Sequence, residues 1–454
     1  MTQSDLIVIG AGPGGYRAAE LAAKAGMKVV VFEAADVGGT CLNEGCIPTK
    51  CYARNAEVVS LTRDSNTFGI HHNGFNFLLE MAKSRKEEVV RQLRSGIETL
   101  LSHPNITLVR GEARFLDAHT VCADGAAACE THSAPYIIVA TGSQPKKLHL
   151  SRCEGEILDS ADLLQLERLP ESLCIVGAGV IGMEFASIFS AFGTKVTVVE
   201  FLKECLPVLD SDIAKRLRKV LEKRGVEFCM QCAVNAITPA VTFTDKKGHQ
   251  QTVEAEKVLM AVGRAPRVSG HFSNAGFDFD ERTGIHVDDH FQTTVHGIYA
   301  IGDCNGRQML AHAAEAQAKV VVEHILQQRD GGTSLPHPSQ LIVPAAIFTA
   351  PEAACVGLSE DQLKQEGRDY ECRKAFYRAN GKALAMGETE GMLKLFSKPD
   401  AGQIVGCHAF GAHSADMVQE VSALMCRQTT VGELRRMVHI HPTLSEILLA
   451  AAEQ

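Results

Sequence analysis

Short, unbroken apolar runs that end in glycine-rich turns are the clearest pattern along this chain. Residues 5–9 (Asp-Leu-Ile-Val-Ile) are typical of a parallel strand that is buried on both faces. Residues 10–15 (Gly-Ala-Gly-Pro-Gly-Gly) follow as a turn, a helical pattern then continues to about Ala25, and a second apolar run extends from Lys28 to Phe32. This order predicts a strand–turn–helix–strand unit at the start of the chain.

The same unit recurs in the second third of the sequence. Leu173 begins a predicted strand, residues 177–182 (Gly-Ala-Gly-Val-Ile-Gly) form the turn, and a helix and another strand follow. Both copies have the pattern G-x-G-x-x-G and place an acid at the end of their second strand, Glu33 in the first and Glu200 in the second. Such glycines let the backbone approach a pyrophosphate, and the acid accepts a hydrogen bond from a ribose hydroxyl. The sequence therefore predicts two dinucleotide sites.

Four further apolar runs end at a small or acidic residue. These runs are 106–109 before Gly111, 136–140 before Thr141, 258–262 before Gly263 and 297–302 before Asp303. The acidic one, Asp303, lies at the C-terminal end of its strand, where open α/β sheets bind ligands. The small-residue turn at 141–143 fits backbone that meets a cofactor, and a plain domain-crossing turn would look similar. Asp303 is a candidate partner for a ribityl or ribose hydroxyl, and alternatively an N-cap for a predicted helix over 310–326. A charged amphipathic helix is predicted over about 75–102.

The pattern changes near residue 337. Gly331-Gly332 and the stretch around Pro336 and Pro338 predict a linker. Alternating strands over 372–377, 391–397 and 404–410, with two helices, then predict a separate α+β domain.

Composition narrows the possible partners. The 454 residues are 45% hydrophobic and 22% charged, and the formal net charge is −9. Because no long basic run occurs, we expect neither nucleic acid nor an anionic membrane as a partner. No apolar run approaches the roughly 20 residues of a membrane span, and no signal peptide is recognised. The 15 cysteines lie mostly inside apolar runs, which favours buried thiols in a reducing cytoplasm.

Residues 38–50 (Gly-Gly-Thr-Cys-Leu-Asn-Glu-Gly-Cys-Ile-Pro-Thr-Lys) place Cys41 and Cys46 among small and turn-forming residues. A purely structural disulfide between them is disfavoured, because closing so short a loop removes little entropy from the unfolded chain. A metal half-site needs two more ligands at similar spacing, and no matching cluster appears. A dithiol that cycles with a disulfide is the remaining interpretation.

Cys229 and Cys232 have C-x-x-C spacing inside a predicted strand. Residues three apart on a strand point to opposite faces, so we do not expect this pair to be functional.

Near the C-terminus, residues 439–446 read His-Ile-His-Pro-Thr-Leu-Ser-Glu. Thr443 and Glu446 fit a helix capping box, T-x-x-E, which is the favoured interpretation of this stretch by itself. The alternative makes His441 an acid/base group that a carboxylate orients.

Together, these motifs resemble those of the flavin-dependent pyridine nucleotide-disulfide oxidoreductases. The resemblance covers essentially the whole chain and rests on residues 10–15, 41–50, 140–143, 177–184, 200, 302–303, 309–312 and 441–446. It implies an α/β fold with two Rossmann-like dinucleotide-binding domains, for FAD and NAD, and a C-terminal α+β dimerisation domain. The implied domains are 1–147 for FAD, 148–267 for NAD, 268–335 as a central domain completing the FAD site, and 336–454 as the interface domain.

The resemblance also implies the division of roles. Cys46 is expected to be the thiolate beside the flavin and Cys41 the thiol that exchanges with substrate, while Lys50 and Glu184 pair near the flavin. His441 and Glu446 are expected to serve the cysteines of a second subunit in a homodimer. The residues expected to bind the cofactors are Gly10, Gly12, Gly14, Gly15, Glu33, Thr40, Lys50, Gly111, Thr141, Gly142, Ser143, Asp303, Met309, Leu310, Ala311 and His312 for FAD, and Gly177, Gly179, Val180, Ile181, Gly182, Glu200 and Gly263 for NAD or the adjoining turns.

Oxidation of protein-bound dihydrolipoamide, with NAD+ as acceptor, is the activity that the resemblance favours. Lipoyl-bearing proteins of 2-oxo acid dehydrogenase or glycine cleavage complexes are the implied partners. Glu200 favours NAD, because a carboxylate repels the 2′-phosphate of NADP. The alternatives are a related NAD(P)H-dependent disulfide or mercuric reductase, although the chain ends Ala-Ala-Glu-Gln without paired cysteines, and a non-catalytic flavoprotein.

Overall fold

The computed structural model of the chain describes residues 2–124, 130–238, 240–268, 270–331, 341–399 and 402–454. The chain divides into two compact units. The first contains residues 1–51, 83–146 and 263–341, and the second contains residues 52–82, 147–262 and 342–454. The predicted linker around Pro336 and Pro338 lies outside the described residues, and the division into four domains stays a prediction.

The helices of the described residues are numbered α1 to α13. In chain order they are α1 (Pro13–Lys24), α2 (Gly39–Asn43), α3 (Cys46–Arg63), α4 (Leu79–Leu101), α5 (Ser160–Leu163), α6 (Val180–Phe192), α7 (Ser211–Lys223), α8 (Ala311–Asp330), α9 (Glu360–Gln365), α10 (Gly381–Met386), α11 (Ser414–Cys426), α12 (Val431–Leu434) and α13 (Glu446–Ala452).

A five-stranded parallel sheet forms the centre of the first unit. Its strands, in spatial order, are Ile298–Ala300, Tyr136–Val139, Leu6–Ile9, Val29–Glu33 and Ile106–Arg110. The central strand Leu6–Ile9 is buried along its length, because both faces of the sheet are covered. Helix α1 packs over one face with its small residues, among them Ala18, Ala19 and Ala22.

The second unit repeats this sheet. Its strands, in spatial order, are Ile157–Leu158, Lys257–Met260, Ser172–Val176, Lys195–Glu200 and Glu227–Met230, all parallel. Helix α6 follows the central strand as α1 does in the first unit. The two predicted strand–turn–helix–strand units are therefore confirmed.

The C-terminal residues of the second unit form an antiparallel five-stranded sheet. Its strands, in spatial order, are Ala345–Ile347, Ala353–Gly357, Ile404–Phe410, Met392–Ser397 and Glu371–Phe376. Helices α11 and α13 pack on this sheet around Val418, Val421 and Leu448. With the two parallel sheets, this arrangement confirms the predicted fold class.

Smaller sheets extend the units. They consist of Thr2–Gln3, Glu130–Ser133, Thr120–Asp124 and Glu112–Asp117 in one sheet, Arg152–Cys153, Ala233–Thr238, Ala240–Thr244 and Gln250–Val253 in a second, and the strand pairs Ser143–Pro145 with Arg264–Pro266 and Phe279–Asp280 with Gly284–Ile285.

Two features of the C-terminal part differ from the sequence prediction. The strands Ala345–Ile347 and Ala353–Gly357 were not predicted, because they are rich in alanine, which is depleted in strands. The short helices α9, α10 and α12 also add to the two that were predicted.

In the described ranges, no helix combines the length and the apolar character of a membrane-spanning segment. The same residues contain no group of three or more His, Cys, Asp or Glu side chains arranged to hold a metal ion.

Candidate active site

The first glycine-rich turn is held by its own sheet. Gly10 has φ +103°, and a Cβ there would lie 2.4 Å from the Ala140 carbonyl oxygen. A Cβ on Gly15 would lie 1.8 Å from the Gly10 carbonyl oxygen. Only glycine fits these two positions, because the backbone segments touch where a side chain would project.

The second turn has the same design. Gly177 has φ +106°, and its Cβ would lie 2.6 Å from the Ala261 carbonyl oxygen. A Cβ on Gly182 would lie 2.0 Å from the Gly177 carbonyl oxygen. The two predicted nucleotide-binding turns are thus equivalent in backbone geometry.

Each turn is also braced by the acid at the end of the second strand. The Glu33 carboxylate accepts from the Ala11 N–H at 2.7 Å and from the Ala35 N–H at 2.8 Å. The Glu200 carboxylate accepts from the Ala178 N–H at 2.5 Å and from the Leu202 N–H at 2.7 Å. Carboxylate oxygens have further lone pairs, so these bonds leave capacity for a ribose hydroxyl.

The turns fit the pyrophosphate groups of FAD and NAD. Helices α1 and α6 start after Gly12 and Gly179, and among the described residues no side chain caps either start. A Cβ on Gly179 would meet no described atom within 4 Å. Free backbone N–H groups and open space at a helix N-terminus suit an anion. Val180 and Ile181 form the first turn of α6 behind this space.

Asp303 lies beyond the strand Ile298–Ala300, at the edge where the first turn also lies. Its carboxylate accepts from the Ser143 hydroxyl at 2.5 Å, and the Arg264 Nε donates to the Ser143 oxygen at 2.7 Å. Burial raises the pKa of Asp303, and the bond from Ser143 and the charge of Arg264 partly offset the rise. The predicted N-cap role is wrong, because α8 begins after Leu310 and no described side chain caps it.

Backbone bonds hold the loops beside Asp303. The Arg267 N–H donates to the Gly142 oxygen at 2.8 Å, and the Thr141 hydroxyl donates to the Arg267 oxygen at 2.8 Å. The Gly263 oxygen accepts from Lys146 at 3.0 Å. These bonds fix Thr141, Gly142 and Gly263, which were predicted to bind the cofactors.

The remaining residues predicted to bind FAD lie on the same unit. Gly14 lies on α1, where it packs against Ile301 and Ala314. The Gly111 N–H donates to the Glu33 carbonyl oxygen at 3.0 Å, and Thr40 is exposed on α2. The start of α8 holds the others, Met309, Leu310, Ala311 and His312. Their contacts with FAD stay predictions.

The thiols of Cys41 and Cys46 are joined by a hydrogen bond. Cys41 lies in α2 and Cys46 is the first residue of α3, which was not predicted to be helical. A thiolate is stabilised at the N-terminus of a long helix, which favours charge on Cys46. The hydrogen bond to Cys46, burial and the charge of Cys46 hold the pKa of Cys41 well above its usual range, while Lys50 opposes them.

In the second unit, His441 Nδ1 lies 3.0 Å from Glu446 Oε1. Glu446 Oε2 accepts from the Thr443 N–H at 2.9 Å. That N–H and the imidazole lower the pKa of Glu446. His441 itself is 81% exposed, so its ring is open to a reacting group.

The predicted capping box is only half present. Glu446 does reach back to the Thr443 N–H, but α13 begins at Glu446 with Ser445 before it. The Thr443 hydroxyl donates instead to the Ile440 oxygen at 2.7 Å. The carboxylate therefore orients His441 and holds the turn at once, and the two interpretations are compatible.

Lys50 and Glu184 fall in different units. Lys50 lies one turn after Cys46 on α3. Glu184 is buried on α6 and accepts from the Phe348 N–H at 2.9 Å. Their pairing stays a prediction.

The structure corrects the interpretation of Cys229 and Cys232. The strand Glu227–Met230 ends before Cys232, and Gln231 has φ +58°, so strand alternation does not separate the two thiols. Burial, and after it the nearby Cys232 thiol, raise the pKa of Cys229.

Sequence reasoning missed three polar residues that shape the first unit. These are Arg264, Gln317, which accepts from the Gly302 N–H at 2.7 Å, and Glu315, which accepts from the Tyr16 hydroxyl at 3.1 Å. Gln317 and Glu315 lie within a predicted helix, where they resemble ordinary polar positions. Arg264 directly follows Gly263, a predicted site residue, so its position in the sequence could have indicated a role at the site.

Known proteins were compared with the chain. Residues 4–318 match the family described as pyridine nucleotide-disulphide oxidoreductase, and residues 343–452 match its dimerisation domain. A dihydrolipoyl dehydrogenase from Bacillus subtilis is 37% identical over 98% of this chain and 96% of its own length. One from Mycobacterium tuberculosis is 38% identical over 99% of this chain and 97% of its own length.

Solved structures agree with these relatives. LpdA from Mycobacterium tuberculosis has a TM-score of 0.89 at 26% identity, covering 100% of this chain and 99% of that one. The HOCl-induced flavoprotein disulfide reductase RclA from Escherichia coli has a TM-score of 0.86 at 29% identity, covering 99% of both. The predicted family is confirmed: the chain belongs to the pyridine nucleotide-disulphide oxidoreductases.

Proposed function

We propose that this chain is an FAD-dependent dihydrolipoamide dehydrogenase that oxidises protein-bound dihydrolipoamide and reduces NAD+ to NADH. The observation that carries the proposal is the hydrogen-bonded pair of Cys41 and Cys46, in the unit that holds the first nucleotide turn. Relatives named dihydrolipoyl dehydrogenase, similar over nearly the full chain, support this substrate above other disulfides.

The chain's own groups supply thiol–disulfide exchange. In the oxidised enzyme, one substrate thiolate attacks the Cys41 sulfur, and the Cys41–Cys46 bond breaks to leave a thiolate on Cys46. The second substrate thiolate then attacks the mixed disulfide, which releases lipoamide and leaves Cys41 reduced. Two electrons thereby pass from substrate to the enzyme dithiol.

His441 accepts the protons that the substrate thiols lose. A thiol of ordinary pKa is mostly protonated at neutral pH, so a positioned base accelerates the attack. Glu446, 3.0 Å from Nδ1, holds the ring and favours the imidazolium that forms.

The turn at residues 10–15 and the groups around Asp303 would hold FAD, and the turn at 177–182 would hold NAD. Bound FAD supplies the transfer of two electrons from the dithiol to NAD+. Lys50 and Glu184 are proposed to pair beside it. Glu200 is proposed to favour NAD over NADP, since its buried carboxylate repels a 2′-phosphate.

The protein is further proposed to act as a homodimer in which His441 and Glu446 serve the cysteines of the second subunit. The match of residues 343–452 to the dimerisation domain supports this arrangement. Lipoyl-bearing proteins of 2-oxo acid dehydrogenase or glycine cleavage complexes are the proposed partners, and a cytoplasmic location stays a prediction.

Steady-state turnover of the purified protein tests the proposal with dihydrolipoamide, glutathione disulfide and mercuric ion side by side, each with NAD(H) and NADP(H). We expect dihydrolipoamide with NAD+ to give the highest kcat/KM, and Cys46→Ser to abolish it while FAD stays bound. Higher kcat/KM with glutathione disulfide or mercuric ion would favour a related reductase. Parity between NADH and NADPH would contradict the role of Glu200.

A further inference from the structure

A close crossing of two helices places two polar side chains beside the dithiol. A Cβ on Gly14 of α1 would lie 3.3 Å from the Cβ of Ala314 on α8, so the helices touch at this point. Tyr16 and Glu315 are the next side chains along, and the Tyr16 hydroxyl donates to Glu315 Oε1 at 3.1 Å. The bond therefore joins α1 to α8 next to this contact.

The segment that carries Cys41 is fixed to the start of α1. The Gly38 N–H donates to the Ala11 oxygen at 2.8 Å. A Cβ on Gly39, where φ is +59°, would lie 2.8 Å from the Cα of Gly12. Helix α2 thus begins in contact with the turn before α1, and Cys41 lies within electrostatic range of both Tyr16 and Glu315.

We propose that Tyr16 and Glu315 form a positioning pair that keeps the proton of the reduced dithiol on Cys41, so that the negative charge settles on Cys46. This inference rests on the redox role of the two cysteines in the proposed function. It adds two residues that act through the thiols rather than on the substrate.

The charges around Cys41 support this assignment. The ionisable groups that act on it are Cys46 and Lys50 from α3 and Glu315 from α8, with Tyr16 from α1. The hydrogen bond to Cys46, burial and the charge of Cys46 disfavour a thiolate on Cys41 most strongly, Lys50 favours one, and the Glu315 carboxylate adds a smaller effect against it. Burial and Glu315 raise the pKa of Tyr16, so the phenol stays protonated and keeps donating to that carboxylate.

The consequence is a division of charge before any substrate arrives. A carboxylate on one side of the pair disfavours a second negative charge nearby, and the start of α3 favours one on Cys46. Cys41 keeps this proton until the dithiol is reoxidised, when a base has to take it up.

Thiol alkylation tests the pair without using lipoamide. Holoenzyme is chemically reduced without oxygen, treated briefly with iodoacetamide over a pH series, and digested after glutamate. Cleavage after Glu44 leaves Cys41 as the one cysteine of the peptide 34–44, whereas Cys46 shares the peptide 45–57 with Cys51. Fragment spectra assign the label within the second peptide, so each thiol gives its own alkylation midpoint. We expect Glu315→Gln, which keeps the shape and an acceptor for Tyr16, to lower the Cys41 midpoint by about half a pH unit or more.

Two further variants complete the design. Tyr16→Phe leaves the carboxylate charged but loosens it, so the Cys41 midpoint should fall by less than in Glu315→Gln. Glu98→Gln removes an exposed acid on α4 and should leave the midpoint unchanged. An unshifted Cys41 in Glu315→Gln with FAD still bound, or an equal shift in Glu98→Gln, would overturn the inference. Absent lipoamide turnover with the expected shift would instead contradict only the proposed function.

Discussion

At the scale of single residues, one carboxylate carries out two tasks near the C-terminus. Glu446 accepts from both the His441 ring and the Thr443 N–H, so the turn and the imidazole are held by the same group. The sequence predicted a capping box between Thr443 and Glu446 and a carboxylate that orients His441, but as alternatives. The chemistry of a carboxylate, which has two oxygens and several lone pairs, makes them compatible.

Replacing His441 tests its role as a base. His441→Gln should lower the rate of lipoamide exchange about a hundredfold or more, because an unassisted thiol must ionise by itself. Rapid-mixing absorbance should show that NADH still reduces bound FAD at nearly the normal rate. Equal losses in both half-reactions would mean that the residue acts structurally.

At the scale of elements, the two glycine-rich turns show how far sequence can predict a structure. Short apolar runs and fixed glycine spacing predicted both parallel units, because buried strands and close backbone contacts restrict the allowed residues. Helix α3 could not be predicted in the same way, since Gly45 and Pro48 disguise its start. Gln231 was also invisible, because a left-handed glutamine leaves no pattern in the sequence.

Two alanine substitutions in one turn should have opposite consequences. Gly182→Ala places a Cβ 2.0 Å from the Gly177 oxygen and should cost about 1–3 kcal/mol of stability. Gly179→Ala meets no described atom within 4 Å, and its φ of −74° suits alanine. It should change the melting temperature little but weaken NAD+ binding, because the methyl group projects towards the predicted pyrophosphate site.

Melting curves and calorimetric titration with NAD+ separate these two effects. Gly179→Ala is the control for the melting curves, because it adds the same methyl group without the close contact that Gly182→Ala creates. Unchanged NAD+ affinity in Gly179→Ala would show that the pyrophosphate lies elsewhere.

At the scale of the whole molecule, a buried ion cluster joins distant parts of the chain within the second unit. Lys394, on the C-terminal sheet, contacts both oxygens of Asp210 at 2.7 and 2.8 Å and Glu360 at 2.5 Å. Lys394 and Asp210 are almost fully buried, and Asp210 also caps α7. Each charge depends on the other, since an unpaired buried ion is costly.

Removing the cation should destabilise the protein strongly. Lys394→Met leaves the Asp210 carboxylate buried without a cation and should cost about 3–5 kcal/mol in denaturant unfolding at neutral pH. Lys223→Met, at an exposed ion pair with Glu390, is the matched control and should cost less than about 1 kcal/mol. Similar losses for the two variants would mean that the buried cluster contributes little.

The same cluster predicts a pH dependence of stability. Burial raises the pKa of the Glu360 carboxyl, but hydrogen bonds from Lys364, Lys394 and Tyr370 outweigh burial and lower this pKa to about 2. A carboxyl with a depressed folded pKa stabilises the protein above its unfolded pKa of about 4.3, and this contribution is lost as the pH falls towards 2. Glu360→Gln should therefore flatten the decline in stability over this range.

Subunit mixing tests the proposed homodimer. Cys46→Ser and His441→Gln each remove one side of the proposed shared site, so each should be nearly inactive. Unfolding and refolding an equal mixture should restore about a quarter of normal turnover, because half the dimers are mixed and each has one intact site. Recovery close to zero would place both residues in the same subunit's site.

The Glu33 and Glu200 carboxylates accept hydrogen bonds from the glycine-rich turns, and these bonds affect how the coenzyme preference could be changed. Both carboxylates hold N–H groups of their turns through contacts made within the chain itself, so these two bonds contribute to the shape of each turn. The group that we propose to select the coenzyme, Glu200, is therefore also part of the scaffold. Replacing Glu200 with a smaller or basic side chain would remove the repulsion of a 2′-phosphate, but it would also loosen the turn. A variant that accepts NADP therefore needs a new hydrogen-bond acceptor for the Ala178 N–H.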